Sequence, residues 1–152
     1  MKAGGENKML SMFKVLEISA TGLSAERLRM DIISNNIANA NATSTVDGTP
    51  YKRKSVLLRS KDMQEFGINL NNSIELLGVE VAGIVEDNSP PVLKFDPDNP
   101  YANEEGFIEL PNVNILNEMV DMISATRSYE ANITAIESTK QMITKTISLV
   151  NK

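Results

Sequence analysis

The chain of 152 residues contains no cysteine, no histidine and no tryptophan. Without cysteine, no disulfide can stabilise the fold and no thiolate can act as a nucleophile. Without histidine, the chain lacks the commonest general base and a ligand that most zinc sites use. These absences exclude thiol-dependent and histidine-dependent catalysis and the usual zinc sites. Paired carboxylates would remain as catalytic groups, but nothing in the sequence concentrates them, and we expect no metal, no cofactor and no enzymatic activity.

A basic excess and a long apolar run are missing as well. The 15 Lys and Arg residues are outnumbered by 20 Asp and Glu residues, and the net charge is −5. Nucleic-acid-binding proteins are usually basic, so we expect no binding to nucleic acid. No apolar run reaches the roughly 20 residues that span a bilayer, so the chain is not expected to be membrane-inserted. Lys14 and Glu17 interrupt the apolar stretch 9–20, which a secretory signal would not tolerate.

Two charged clusters do not match a known type of site. Four carboxylates lie between residues 96 and 105, but a calcium loop requires a glycine at its sixth position, where this stretch has Tyr101. That stretch therefore does not predict a calcium site. The basic run K-R-K at residues 52–54 is interpreted as a solvated loop or strand edge rather than a phosphate site.

Apolar residues recur at helical spacing near the start of the chain, over residues 9–41. They lie three, four or seven positions apart, as in a coiled-coil seam. The residues of this stripe are Met9, Met12, Leu16, Leu23, Met30, Ile33 and Ile37. Gly22 interrupts the pattern, and we interpret it as a soft point or close-packing site inside one helix. A break into two helices is the alternative.

A second helical pattern covers residues 112–151. Its main stripe is Ile115, Met119, Met122, Tyr129, Ile133, Ile136, Ile143, Ile147 and Val150. A further stripe in its first half is Val113, Leu116, Val120 and Ile123. Helices that are apolar on more than one face need more than one packing partner. The pattern therefore predicts a subunit of a larger assembly.

The middle of the chain is predicted to be rich in β-strands. Extended stretches are expected at residues 51–59, 73–86, 90–95 and 106–110, with a loop between the first two. The predicted class is α+β, with long N- and C-terminal helices and a small β-rich middle region. The expected organisation is a disordered extension over 1–8, helices over 9–41 and 111–152, and the β-rich region over 42–110.

Asparagines are concentrated at the end of the first helical pattern, at Asn35, Asn36, Asn39 and Asn41. Asparagine is a mediocre helix former, because its side chain competes for backbone hydrogen bonds. One interpretation is that these amides contact a partner surface. The other is a fraying helix end capped by asparagine.

Both termini resemble the signatures of a known family. Residues 23–41 read L-S-A-E-R-L-R-M-D-I-I-S-N-N-I-A-N-A-N, which resembles the N-terminal signature of the bacterial flagellar rod and hook family. Residues 111–142 read P-N-V-N-I-L-N-E-M-V-D-M-I-S-A-T-R-S-Y-E-A-N-I-T-A-I-E-S-T-K-Q-M, which resembles its C-terminal signature. The short middle and the stretch P-Y-K-R-K at residues 50–54 favour the small proximal rod member. The extension over 1–8 departs from the family pattern.

The resemblance implies that the two terminal helices pair as an antiparallel coiled-coil-like hairpin. It implies a structural subunit of the flagellar basal-body rod, the drive shaft that transmits motor torque to the hook. It implies a periplasmic location and export through the flagellar type III apparatus without a cleaved signal. Expected partners are other rod proteins and further copies of the chain. The export gate, the hook-basal-body junction protein and the ring proteins are further candidates. The alternatives are a non-flagellar helical adaptor and, third, a peptidoglycan-cleaving enzyme.

The predicted subunit interface combines the helical seams with the motif residues. It consists of Leu23, Met30, Ile33, Asn35, Asn36, Ile37, Asn39, Met119, Met122, Arg127, Tyr129, Asn132, Ile133, Ile136 and Ile143.

Overall fold

Two long helices enclose four strands along the chain. The computed structural model describes residues 3–43, 49–62 and 77–150. Helix α1 spans Ala3–Asn39 and helix α2 spans Ile115–Val150. The predicted α+β class, with long terminal helices and a small β-rich middle, is confirmed. No helix within the described ranges is long and apolar enough to cross a membrane.

The four strands form two antiparallel pairs. Strand β1 (Lys54–Asp62) pairs with β2 (Leu77–Glu86), and β3 (Val92–Phe95) pairs with β4 (Phe107–Leu110). All four therefore lie at or near the predicted extended stretches. Within the second pair, Phe95 lies opposite Phe107, and their rings meet edge to face with centroids 5.3 Å apart. Most of the predicted loop after β1 lies outside the described residues.

The chain divides into two compact units, each containing a section of both helices. The Asn36 unit comprises residues 28–57 and 83–125, and the Gly22 unit comprises residues 1–27, 58–82 and 126–152. In the Asn36 unit, Asn36 contacts Glu118, while Arg29, seven residues earlier on α1, lies 3.6 Å from Asp121, three residues later on α2. The helices in this unit therefore run antiparallel.

One face of α2 follows a heptad pattern of buried and half-buried side chains. Its members are Glu118, Met122, Ala125, Tyr129, Asn132, Ile136, Thr139 and Ile143. Half of them belong to the predicted seam, but Ile115, Met119 and Ile133 are exposed. The predicted seam is therefore half right. Its positions 122, 129, 136 and 143 face the buried side, whereas the other buried positions, 118, 125, 132 and 139, hold Glu, Ala, Asn and Thr instead of the predicted apolar residues. Among these, Asn132 lies against Gly22 and Glu118 bonds Asn36.

Helix α1 continues without a break through Gly22. In the Gly22 unit this glycine lies against Asn132: a β-carbon added at position 22 would be 3.0 Å from Asn132 Nδ2 and 3.1 Å from its Oδ1. Asn132 is held in place because Nδ2 donates a hydrogen bond to the Ser128 carbonyl at 3.0 Å. The predicted close-packing role of Gly22 is confirmed, and the alternative break in the helix is not found.

Helix α1 begins six residues before its predicted start. The prediction of disorder for residues 1–8 is not matched over residues 3–8, which are helical. Once a helix has formed, each added residue contributes one hydrogen bond without a new nucleation cost, so a long helix can extend through residues of poor propensity.

The contact at Gly22 predicts a reversal of the usual effect of alanine in a helix. Gly→Ala in a helix interior normally stabilises by about 1 kcal/mol. We expect Gly22→Ala to give no gain or a loss, because overpacking costs about 1–3 kcal/mol. In an Asn132→Ala background the same substitution should stabilise. Urea unfolding of the four chains of this double-mutant cycle measures the coupling, and additive effects would contradict the contact.

Candidate assembly surface and the Asn36 cluster

A fully buried polar pair joins the two helices within the Asn36 unit. Asn36 and Glu118 are both 0% exposed. Asn36 Nδ2 donates a 2.9 Å hydrogen bond to Glu118 Oε2. Glu118 lies in the first turn of α2, where the helix dipole favours a carboxylate.

The amide of Asn36 uses its full hydrogen-bonding capacity. Nδ2 also donates to the Lys54 carbonyl at 2.8 Å, and Oδ1 accepts from the Lys54 main-chain N–H at 3.0 Å. The Tyr51 hydroxyl donates to the same Oδ1 at 2.8 Å. An amide offers two donors and two acceptor sites, so none remains unsatisfied. Asn36 therefore fixes the first residue of β1 to both helices of the unit.

The second oxygen of the Glu118 carboxylate is paired with Arg53. Arg53 Nε donates to Glu118 Oε1 at 2.7 Å, and its Nη2 lies 3.5 Å from Asp121 Oδ2. The Arg53 side chain is only partly buried, whereas Glu118 is inaccessible to solvent. Arg53 thus balances a buried charge from the surface side, which avoids the large cost of an isolated buried carboxylate.

Main-chain hydrogen bonds hold Arg53 in position. Its N–H donates to Asn112 Oδ1 at 2.9 Å, and its carbonyl accepts from the Asp87 N–H at 2.8 Å. Asn112 Nδ2 donates in turn to the carbonyls of Asp87 and Ser89. The start of β1, the turn after β2 and the residues before α2 therefore form one hydrogen-bonded corner. Pro111, also fully buried, lies at this corner.

Two titratable side chains near the corner have shifted pKa values. Burial raises the pKa of the Tyr51 phenol above its ordinary 10.0, and the charges of Glu118 and Glu86 raise it further. The Tyr51 hydroxyl therefore stays protonated and can donate to Asn36 at physiological pH. The hydroxyl and the main-chain N–H of Ser89 donate to the Asp87 carboxylate and lower its pKa.

A polar groove of about 520 Å³ opens beside this corner. Its lining residues are Arg53, Asp87, Asn112, Asn114, Asn117, Glu118, Val120 and Asp121. Arg53 is paired with Glu118 and Asp121, and Asp87 accepts hydrogen bonds from Ser89, so the charged groups of the groove have partners within the chain.

A stripe of large apolar side chains covers the opposite face of α2 in the same unit. Leu116 is 69% exposed, Met119 53%, Val120 60% and Ile123 55%. Their spacing of three, four and seven residues places them on one face of the helix. We call this set the apolar stripe. Its members coincide in part with the further stripe predicted from the sequence.

The structure places the predicted interface residues at very different depths. Those on the surface are Asn35, Met119, Arg127 and Ile133. Those half-buried are Leu23, Met30, Ile37, Asn39, Met122, Tyr129, Asn132, Ile136 and Ile143. Ile33 and Asn36 are buried within the chain itself.

The prediction that Asn36 contacts a neighbouring subunit is therefore wrong. Its amide does find partners, but they belong to the same chain, and no atom of it reaches the surface. Asn39, by contrast, bonds locally: its Nδ2 donates to the carbonyl of Asn35 at 2.8 Å and to Asn35 Oδ1. The two asparagines thus have different roles.

Sequence reasoning missed Glu118, Tyr51 and Arg53. The K-R-K run was interpreted as solvated, yet Arg53 pairs with the buried carboxylate and only Lys52 is fully on the surface, where it donates to Asn88 Oδ1. A signal for Glu118 did exist, because it is the one charged residue between residues 113 and 120.

The Tyr51–Asn36 hydrogen bond predicts a pH-dependent effect. Tyr51→Phe should cost about 0.5–1.5 kcal/mol at neutral pH, because Asn36 Oδ1 loses one donor. Because the pKa of Tyr51 is raised in the folded state, the stabilisation from its hydrogen bond is complete below the ordinary pKa of 10.0. That stabilisation is lost as the pH rises through the folded-state pKa. The stability gap between the two chains should therefore stay constant at pH values well below 10.0 and narrow as the pH rises above 10.0. A gap that widens over this range would contradict the shift.

Comparison with known proteins shows the family. Profiles described as "Flagella basal body rod protein" and "Flagellar basal body rod FlgEFG protein C-terminal" match residues 16–44 and 104–149, respectively.

The chain is similar to flagellar basal-body rod protein FlgC of Borreliella burgdorferi, with 42% identity over 151 residues covering 93% of this chain and 99% of the relative. FlgC of Bacillus subtilis is 44% identical over 149 residues, covering 92% and 99%. FlgC of Escherichia coli O157:H7 is 33% identical over 140 residues, covering 92% and 98%. The chain therefore belongs to the flagellar basal-body rod protein family, as a member of its FlgC group.

Proposed function

We propose that the chain builds the proximal rod by packing its apolar stripe against neighbouring rod subunits, and that it has no enzymatic activity. Membership of the family makes it a structural subunit of the basal-body rod that assembles with other rod proteins. The apolar stripe is the observation that supports the mode of assembly. No observation favours a non-flagellar adaptor or a peptidoglycan-cleaving enzyme.

The size of the stripe supports a protein partner. Burying one Leu, Val, Ile or Met side chain completely is worth about 1.5–3 kcal/mol, and four such side chains here are more than half exposed. Single exposed apolar residues are ordinary, but a contiguous apolar face usually marks an interaction site. Neighbouring subunits would bury this face during assembly.

The predicted interface residues divide according to their accessibility. Met119, Arg127, Ile133 and Asn35 remain candidates for contacts between subunits, because their side chains reach the surface. The half-buried members contribute only their outer atoms. Ile33 and Asn36 are removed from the proposed interface, since they pack within the chain.

The finer placement of the chain within the flagellum is part of the proposal. We propose a position in the periplasmic part of the rod, export through the flagellar type III apparatus, and transmission of motor torque towards the hook. The relatives are named as basal-body rod proteins, which supports this placement. The export gate, the hook-basal-body junction protein and the ring proteins are proposed as further partners.

The apolar stripe predicts a matched pair of variants. Leu116→Asp places a charge in the stripe, whereas Asn117→Asp places the same charge one residue later, on the flank of the helix. Both residues are exposed, so both isolated chains should keep their stability within about 0.5 kcal/mol. We expect Leu116→Asp to abolish motility and basal-body rods, because assembly would bury an unpaired charge.

Swimming assays, with electron microscopy of isolated basal bodies, measure this outcome in cells that carry each variant as their only copy. Asn117→Asp should support normal rods. Normal rods from Leu116→Asp would overturn the proposed role of the stripe, and loss of rods in both variants would show that any added charge disturbs this helix.

A further inference from the structure

The buried pair of Asn36 and Glu118 stands apart from the rest of the seam on α2, where the other buried positions are small or weakly polar. We propose that Asn36 and Glu118 are positioning residues that fix the alignment of α1 against α2, rather than residues that add net stability. This goes beyond the proposed assembly role, because it concerns how the chain selects its own fold before any neighbour is bound.

A stabilising role is the weaker explanation on physical grounds. Glu118 and Asn36 have lost all their hydration, and their mutual hydrogen bonds only replace those once made to water. Replacing a buried polar or charged pair by apolar residues of similar volume is often neutral or stabilising. A single buried asparagine in a helical seam, however, can select one register at the expense of stability.

The neighbouring positions show why only one alignment satisfies this pair. On α2, the residue one heptad after Glu118 is Ala125, which has no hydrogen-bonding side chain. A shift by seven residues would place Asn36 opposite Ala125 and leave the Glu118 carboxylate without the amide. The other buried polar group of the column, Thr139, does not discriminate, because its hydroxyl bonds to the Ala135 carbonyl of its own helix.

The hydrogen bonds to β1 strengthen the selection. Asn36 bonds both main-chain polar atoms of Lys54, and Arg53 bonds Glu118. A shift of either helix within the Asn36 unit would therefore also break contacts with two consecutive residues at the start of β1. The pair thus sets the alignment of α1, α2 and β1. It therefore favours one alignment more strongly than a hydrogen bond between two facing side chains would.

Disulfide mapping can test the alignment directly, because the native chain has no cysteine. Gly22 and Asn132 are in contact, so Gly22→Cys with Asn132→Cys reports the native alignment. Gly22→Cys combined with Ala125→Cys or Thr139→Cys reports a shift by one heptad in either direction. These two reporters also carry Asn132→Ala, because the cysteine side chain at position 22 would otherwise be too close to the Asn132 amide. Each reporter pair is placed in the native background and in an Asn36→Leu/Glu118→Leu background.

In the native background we expect only the 22–132 disulfide. In the Asn36→Leu/Glu118→Leu background, called the Leu pair, the chain should keep its helicity and a cooperative unfolding transition, while the shifted disulfides appear. If the three alignments became equal in free energy, the native product would fall about threefold. The matched control is Thr139→Val, which removes a buried hydroxyl from the same face of α2. It is tested with the 22–132 and 22–125 reporters and should leave only the native disulfide.

Two results would overturn the proposal. If the Leu pair retains only the native disulfide, other contacts set the alignment. If the Leu pair fails to fold, Asn36 and Glu118 are needed for stability rather than for alignment. Both results would leave the proposed assembly through the apolar stripe unaffected, since they are measured on the isolated chain.

Discussion

The fold depends on one side-chain amide placed where three elements meet. Asn36 belongs to α1, its Lys54 partners are main-chain atoms at the start of β1, and Glu118 begins α2. The amide is buried and fully satisfied, so moving any of these elements within the Asn36 unit would break a hydrogen bond where water cannot replace it. Apolar contacts tolerate small shifts and exposed ion pairs contribute little. The hydrogen bonds of Asn36 therefore constrain the unit more strictly than its other contacts.

The secondary structure could be predicted from periodicity and turn chemistry. Both long helices and all four strands followed from the spacing of apolar residues and from turn residues. The buried face of α2 followed only in half. The same face also buries Glu118, Ala125 and Thr139, whereas hydrophobicity favoured exposed neighbours such as Met119 and Ile133. Periodicity identifies a helix, but the shape and chemistry of the facing helix decide which side it buries.

The candidate site was predictable only in part, for a related reason. The sequence showed that asparagines beside apolar residues need partners, and Asn36 does have them. Its partner Glu118 is 82 residues away, and that pairing depends on how the chain folds back. Arg53 and Tyr51 take their roles from the same long-range geometry, so a short basic run could not distinguish a solvated lysine from an arginine beside a buried carboxylate. Residue type indicated the need for a partner, whereas the fold determined its identity.

The helical seam thus combines apolar side chains with buried polar and small residues, while several large apolar residues of α2 stay exposed. Burial of large apolar side chains is the main favourable term in folding. Because Leu116, Val120 and Ile123 stay exposed, part of that free energy is not gained when the chain folds alone. In the proposed assembly it becomes available when neighbouring subunits cover them, which would couple assembly to full stability. The proposed role of the internal polar pair would then complement the outer stripe, because one arrangement of the helices would present the stripe in one geometry to the next subunit.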